Sequence, residues 1–140
     1  MLPFPGHIGL ALIISAITGL NPLLLVIGAC LPDLDMLFYA KYRYTRGNPH
    51  RAFSHSIFAP LILLPFSFTL TVGVISHIVA DYFVYPGLRL FYPFKKKWYY
   101  PFDGDSEITK SMHEMARDLM SNKKRMVIEA ALFIFGAMII

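Results

Sequence analysis

The sequence predicts an all-α fold, a membrane-embedded bundle of short helical hairpins with its ionisable side chains gathered at one end. Three observations carry this reading. Of 140 residues, 56% are hydrophobic and 16% charged, against roughly 45–50% and 25% in soluble domains. No charged side chain occurs between His7 and Asp33 or between His55 and His77. Both uncharged stretches are interrupted midway by turn-forming residues. A chain of this length makes one domain, but is too short to wrap a soluble core around such blocks.

The first block, residues 8–31, is broken by Gly19-Leu20-Asn21-Pro22; proline disfavours helix at the residue before it, so two helices are expected. The second, residues 56–76, carries Pro60 and Pro65, which places a turn at 65–69 near Phe66. The third, residues 126–140, is interrupted only by Glu129. Between the last two lie an aromatic- and proline-rich stretch, 82–102, and a polar segment opening at Asp103. Met112, Met115, Ala116, Leu119 and Met120 recur there at helical spacing, so an amphipathic helix capped by Asp105 or Ser106 should run to about Lys123. The N-terminus lacks the basic region and cleavage site of a secretory signal, so the first block is expected to remain in the mature protein.

The net charge of +4 raises nucleic acid as a partner. The basic residues, however, flank apolar blocks: Lys41, Arg43, Arg46, Arg51, Lys95 to Lys97, and Lys123 to Arg125. That is how membrane proteins are oriented, and no direct nucleic-acid contact is expected. If the first two blocks each crossed the bilayer once, the 41–51 loop would be stranded opposite the basic 89–125 region. If each doubles back, every basic segment lies on one side, the cytoplasmic one by the positive-inside tendency. Trp98, Tyr99 and Tyr100 after three lysines then read as an interfacial aromatic belt. The single cysteine, Cys30, excludes a disulfide framework and a zinc finger.

Ionisable groups at the ends of apolar blocks are costly unless paired, metal-bound or solvated. His7, Asp33, Asp35, His50, His55, His77 and Asp81 all sit there and are the candidate metal ligands. His77 and Asp81, four apart, share a helix face; one ion could take both, or Asp81 could orient His77, and a metal-free His–Asp hydrogen bond is the competing reading. Asp33 and Asp35 can serve one site only from a loop or a helix start, and a plain helix cap at Asp33 is the alternative. Asn48-Pro49 keeps the chain extended before His50, so that His50 comes from the loop and His55 from the next helix. Ser54 and Ser56 read as capping or ligand-orienting groups. His113-Glu114 lacks the second histidine of a zincin, and both are read as solvated.

On unbroken helices, His7 and Asp33 would stand about 39 Å apart and His55 and His77 about 33 Å. Only hairpins bring both ends of each block to one rim. The charge pattern and the ligand pattern therefore require the same topology.

The order His7, Pro32-Asp33-Leu-Asp35, His50-Arg51-Ala-Phe-Ser-His55-Ser56, His77-Ile-Val-Ala-Asp81 and Gly87-Leu-Arg-Leu-Phe-Tyr-Pro-Phe94 resembles the YdjM-like family of membrane-bound proteins. These are described as metal-dependent hydrolases, some as LexA-binding. The resemblance covers the first two-thirds of the chain; Ala52 and Ser54 replace the family's usual glycine and threonine, and Phe83-Val84 stands where a threonine is usual. The ligand order is also similar to that of zinc-dependent phospholipase C, which implies phosphoester chemistry.

The expectations that follow are one or two divalent ions, zinc first, held by those seven residues. Asp35 would bridge the ions or accept a proton as the catalytic residue. Arg51 and Arg89 would bind a substrate phosphate, or contact lipid headgroups. Membrane lipids, a phosphoester substrate and a protein regulator are the expected partners. The competing function is a non-enzymatic membrane protein in which a structural metal staples the helix ends and the basic face docks a regulator.

Overall fold

The computed structural model describes residues 4–35, 51–83, 87–99 and 123–139. The described residues form helices, turns and one isolated antiparallel bridge between Leu88 and Tyr99; no strand is present among them. Helix α1 (Phe4–Thr18) and helix α2 (Pro22–Cys30) make the first hairpin. Gly19 turns the chain at a φ of +70°, a conformation that costs glycine no steric penalty. Asn21 then caps α2, its side chain accepting from the Leu24 amide at 3.1 Å, with Pro22 in the first turn where no amide hydrogen is needed. A single 3₁₀ turn, Leu31–Leu34, continues from α2.

The second hairpin pairs helix α3 (Phe58–Leu63) with helix α4 (Phe68–Tyr82), joined by a turn over 64–66 and capped by Ser67, whose hydroxyl accepts from the Leu70 amide at 3.3 Å. The breaks fall where the sequence places them. The start of the hairpin does not: α3 begins at Phe58, and His55 lies in the preceding turn rather than on the helix. Ser56 shapes that turn, donating to the Phe53 carbonyl at 2.7 Å and accepting from the Phe58 amide at 3.3 Å. Helix α5 (Lys123–Ile139) realises the third apolar block.

Helix α1 packs on α2 and α5, and α2 packs on α4. Glycine sets the close crossings. A Cβ on Gly28 would run into the Leu70 carbonyl, and one on Gly73 into the Leu25 carbonyl. Gly9 and Gly136 meet backbone to backbone between α1 and α5 in the same manner. Small residues at helix contacts characterise bundles that pack without a large hydrophobic driving force between helices. The interior is correspondingly thin: Ala11, Leu25 and Ala29 form one buried cluster, Val74, Ile78 and Leu88 another. Large apolar side chains point outward instead, with Ile17 79%, Phe66 81% and Met138 80% exposed.

Among the described residues no helix is long and apolar enough to cross a membrane. The 15 residues of α1 or α4 reach about 22 Å, short of the roughly 30 Å hydrocarbon layer. His50, the rest of the 41–50 stretch and the polar segment with His113 and Glu114, where the amphipathic helix is expected, lie outside the described residues.

Candidate metal centre

The α2–α4 crossing builds the centre. With Gly28 and Gly73 in backbone contact, the carbonyl of Ala29 comes within 2.6 Å of His77 Nδ1. A carbonyl only accepts, so Nδ1 carries the hydrogen and Nε2 turns its lone pair inward. Burial, reinforced by the neighbouring His7, lowers the His77 pKa to about 3, so the ring is neutral at physiological pH. The tautomer and the charge state are both fixed by the packing.

His55 is set in the same way from the other side. The Ser54 hydroxyl donates to Asp35 Oδ2 at 2.5 Å, and His55 Nδ1 lies 2.9 Å from that hydroxyl. With its one hydrogen committed to the carboxylate, the hydroxyl accepts from Nδ1, which leaves His55 Nε2 as a second inward lone pair. The two Nε2 atoms stand 3.1 Å apart, their rings at 69°.

The 3₁₀ turn after α2 carries Asp33 to the same point. Its Oδ1 is 3.4 Å from His55 Nε2 and 3.6 Å from His77 Nε2. All three residues are 0–1% exposed. Three acceptor atoms converging in a buried space repel one another unless a cation lies among them. Ligands about 2.0–2.1 Å from a tetrahedral zinc stand about 3.3–3.4 Å from each other. The observed edges of 3.1, 3.4 and 3.6 Å bracket that figure. The residues fit a divalent ion.

A second group adjoins the first. His7, in the opening turns of α1, stacks on His77 with ring centroids 3.7 Å apart and planes at 16°, and its Nε2 is 3.5 Å from Asp81 Oδ1. Asp81, one turn after His77 on α4, has Oδ2 2.9 Å from Arg51 Nη2. Burial opposes ionisation of Asp81, but the Arg51 guanidinium and the contact with His7 hold its carboxyl well below the usual carboxylate range. Arg51 also donates to the Gly87 carbonyl at 3.3 Å and sits at a φ of +62°. For a residue other than glycine that backbone costs about 1–3 kcal/mol, so the surrounding contacts must hold it in place.

The structure thus gathers His7, Asp33, His55, His77 and Asp81 at one rim, in two overlapping groups whose ligand atoms lie within 4.8 Å of one another, His7–His77–Asp81 and Asp33–His55–His77. Asp35 lies on the Nδ1 side of His55, 3.9 Å from that nitrogen, away from the Nε2 that faces Asp33. Arg51 is buried against Asp81, and Arg89 is half-buried with its guanidinium 4.6 Å from the centroid of the Trp98 ring.

Sequence reasoning missed the Ala29 carbonyl, which no side-chain pattern advertises, and the role of Arg51 as the counter-charge of a buried carboxylate. Gly28 and Gly73 were the available signal for the first, since paired glycines mark close backbone approach. No curated protein and no solved structure gives a significant match to the chain. A family model described as YdjM inner membrane protein matches residues 1–140, and the chain belongs to that family.

Proposed function

We propose that the protein is a membrane-bound, metal-dependent hydrolase acting on a phosphoester, such as a phospholipid headgroup, at the inner surface of the membrane. The observation that carries the reading is the buried triangle of His55 Nε2, His77 Nε2 and Asp33 Oδ1, with edges of 3.1–3.6 Å and both histidines' outer nitrogens tied down. A divalent ion held there would supply Lewis acidity, making water a competent nucleophile near neutral pH and polarising a phosphoryl oxygen. The chain's own residues do the rest. Ala29 and Ser54 orient the imidazoles, and Asp35 strengthens His55 as a donor through the Ser54 hydroxyl, the role of outer carboxylates in zinc sites.

The membrane reading rests on the family together with the exposed apolar faces of the helices. The hairpins would enter the bilayer from the cytoplasmic side with their uncharged turns leading, the metal centre remaining at the rim. Arg89, half-buried over Trp98, would be the phosphate contact near that rim. Arg51 is a weaker candidate, because its guanidinium is engaged by Asp81 and Gly87.

One observation favours a second reading, a structural metal that staples the helix ends. The three ligands are all but completely buried, and structural sites are closed whereas catalytic sites keep a coordination position open. Detergent-purified protein should be assayed for metal content and then screened against phosphoesters and phospholipids with a chelator control. Metal together with chelator-sensitive hydrolysis supports the enzyme; stoichiometric metal with no turnover across the panel supports the staple; protein without metal under either condition refutes both.

A further inference from the structure

We infer that the described residues hold one divalent ion rather than two, with Asp33, His55 and His77 as ligands and His7 and Asp81 outside its coordination sphere. This rests on the metal reading above but not on hydrolysis.

Both candidate groups need His77. Its Nδ1 is committed to the Ala29 carbonyl at 2.6 Å, so the ring has one lone pair, on Nε2, and a neutral imidazole donates that pair to one ion. The two groups are therefore alternatives.

Ring geometry chooses between them. An imidazole donates its pair in the plane of the ring. His7 and His77 lie face to face, centroids 3.7 Å apart and planes at 16°, so an ion in the plane of one is several ångströms out of the plane of the other. No position serves both. His55 and His77 cross at 69°, with their Nε2 atoms 3.1 Å apart, and their planes intersect beside both nitrogens.

Charge agrees with this choice. Asp81 Oδ2 lies 3.8 Å from both Nε2 atoms, but also 2.9 Å from the Arg51 guanidinium. An ion bound to that oxygen would sit against a fixed positive group. Asp33 Oδ1 stands 3.4 and 3.6 Å from the two Nε2 atoms and completes the His55–His77 triangle. The His7–Asp81–Arg51 arrangement is a supporting wall on which the ligand His77 stacks.

The test is titration of chelator-stripped, detergent-solubilised full-length protein with Zn²⁺ by calorimetry, beside His7→Phe, which keeps a stacking ring but cannot ligate, and His55→Ala. One equivalent in wild type, one equivalent within threefold of its affinity in His7→Phe, and loss of at least a hundredfold in affinity in His55→Ala is the expected result. Two equivalents in wild type, no tight binding in wild type, or loss of the ion in a His7→Phe protein of native helical content overturns the inference. Should His7→Phe fail to fold, the wild-type stoichiometry alone decides between one ion and two. Two equivalents with phosphoesterase activity would sink the single-ion inference and leave the hydrolase standing; one equivalent without turnover would do the reverse.

Discussion

His77 Nδ1 and the carbonyl oxygen of Ala29 meet at 2.6 Å across a helix crossing where Gly28 and Gly73 let the two backbones approach. The contact couples the way α2 and α4 pack to the direction in which the imidazole points. Gly73→Ala would place a methyl against the Leu25 carbonyl and force the helices apart. Overpacking of this kind costs about 1–3 kcal/mol, and loss of an orienting partner lowers metal affinity about 10–100-fold. Thermal unfolding in detergent and a Zn²⁺ titration on the same sample should show both effects. A Gly73→Ala protein with normal affinity would break the proposed link between packing and ligand orientation.

Ser54 makes a similar prediction on the other imidazole. Its hydroxyl connects Asp35 to His55 Nδ1, at 2.5 and 2.9 Å. Ser54→Ala and Asp35→Asn should each weaken metal binding about 10–100-fold while leaving its stoichiometry intact. If Asp35 itself ligates or bridges ions, as the sequence alone suggests, Asp35→Asn should change the number bound. Equilibrium dialysis of the two variants separates these outcomes.

Much of this was readable in the chain, and the parts that were not have a common cause. Gly19, Asn21-Pro22, Pro65 and Ser67 announce their turns because backbone conformation at a turn is a local property. The gathering of His7, Asp33, His55, His77 and Asp81 follows once those turns are granted. Arg51 illustrates the limit: its sequence neighbourhood suggests a phosphate ligand, yet its partners Asp81 and Gly87 lie 30 and 36 residues away. Which carboxylate neutralises which cation is decided by packing, as is the stacking that sets His7 apart from the ligands. Asp35 reads as equivalent to Asp33 in a Pro-Asp-Leu-Asp run, and only the 3₁₀ turn sends the two to opposite sides of His55.

Arg51 should therefore matter to stability. Arg51→Met leaves Asp81 buried without its cation, and breaking a buried pair from one side costs about 3–5 kcal/mol. Arg51→Met combined with Asp81→Asn should recover part of that loss, because the uncompensated charge is gone. The sign with pH also follows. Asp81 has a depressed pKa in the folded protein, so its contribution is complete above the unfolded value of about 3.9 and declines as pH falls below it toward the folded pKa. Denaturant unfolding of wild type should show no loss from this pair between pH 7 and 5, and a double mutant no more stable than Arg51→Met would contradict the pairing.

The metal-free protein should behave differently in that interval because of His77. Its pKa falls from an ordinary 6.5 to about 3 in the fold. Between those values the unfolded chain binds a proton that the folded chain does not, so stability falls as pH drops from about 6.5. The slope for one such group approaches about 1.4 kcal/mol per pH unit. Chelator-stripped wild type should follow it, and His77→Gln should have a flatter profile over the same range. Identical profiles would mean that His77 titrates normally and does not hold a neutral ring with its lone pair turned inward.

The last prediction concerns the solvent around the turns. Phe66 is 81% exposed at the tip of the second hairpin, about 22 Å along α4 from the end bearing Asp81. In water, a charge at such an exposed turn changes stability by no more than about 0.5 kcal/mol. In hydrocarbon, an arginine costs about 2.5–3.5 kcal/mol on insertion scales. Phe66→Arg therefore reads out which solvent the tip meets without touching the metal centre. If the hairpin is inserted, the variant should be depleted from the carbonate-resistant membrane fraction, whereas Phe66→Leu should remain in it. A Phe66→Arg protein that stays in that fraction at wild-type levels would mean the hairpin tip does not enter the bilayer, whatever else anchors the chain.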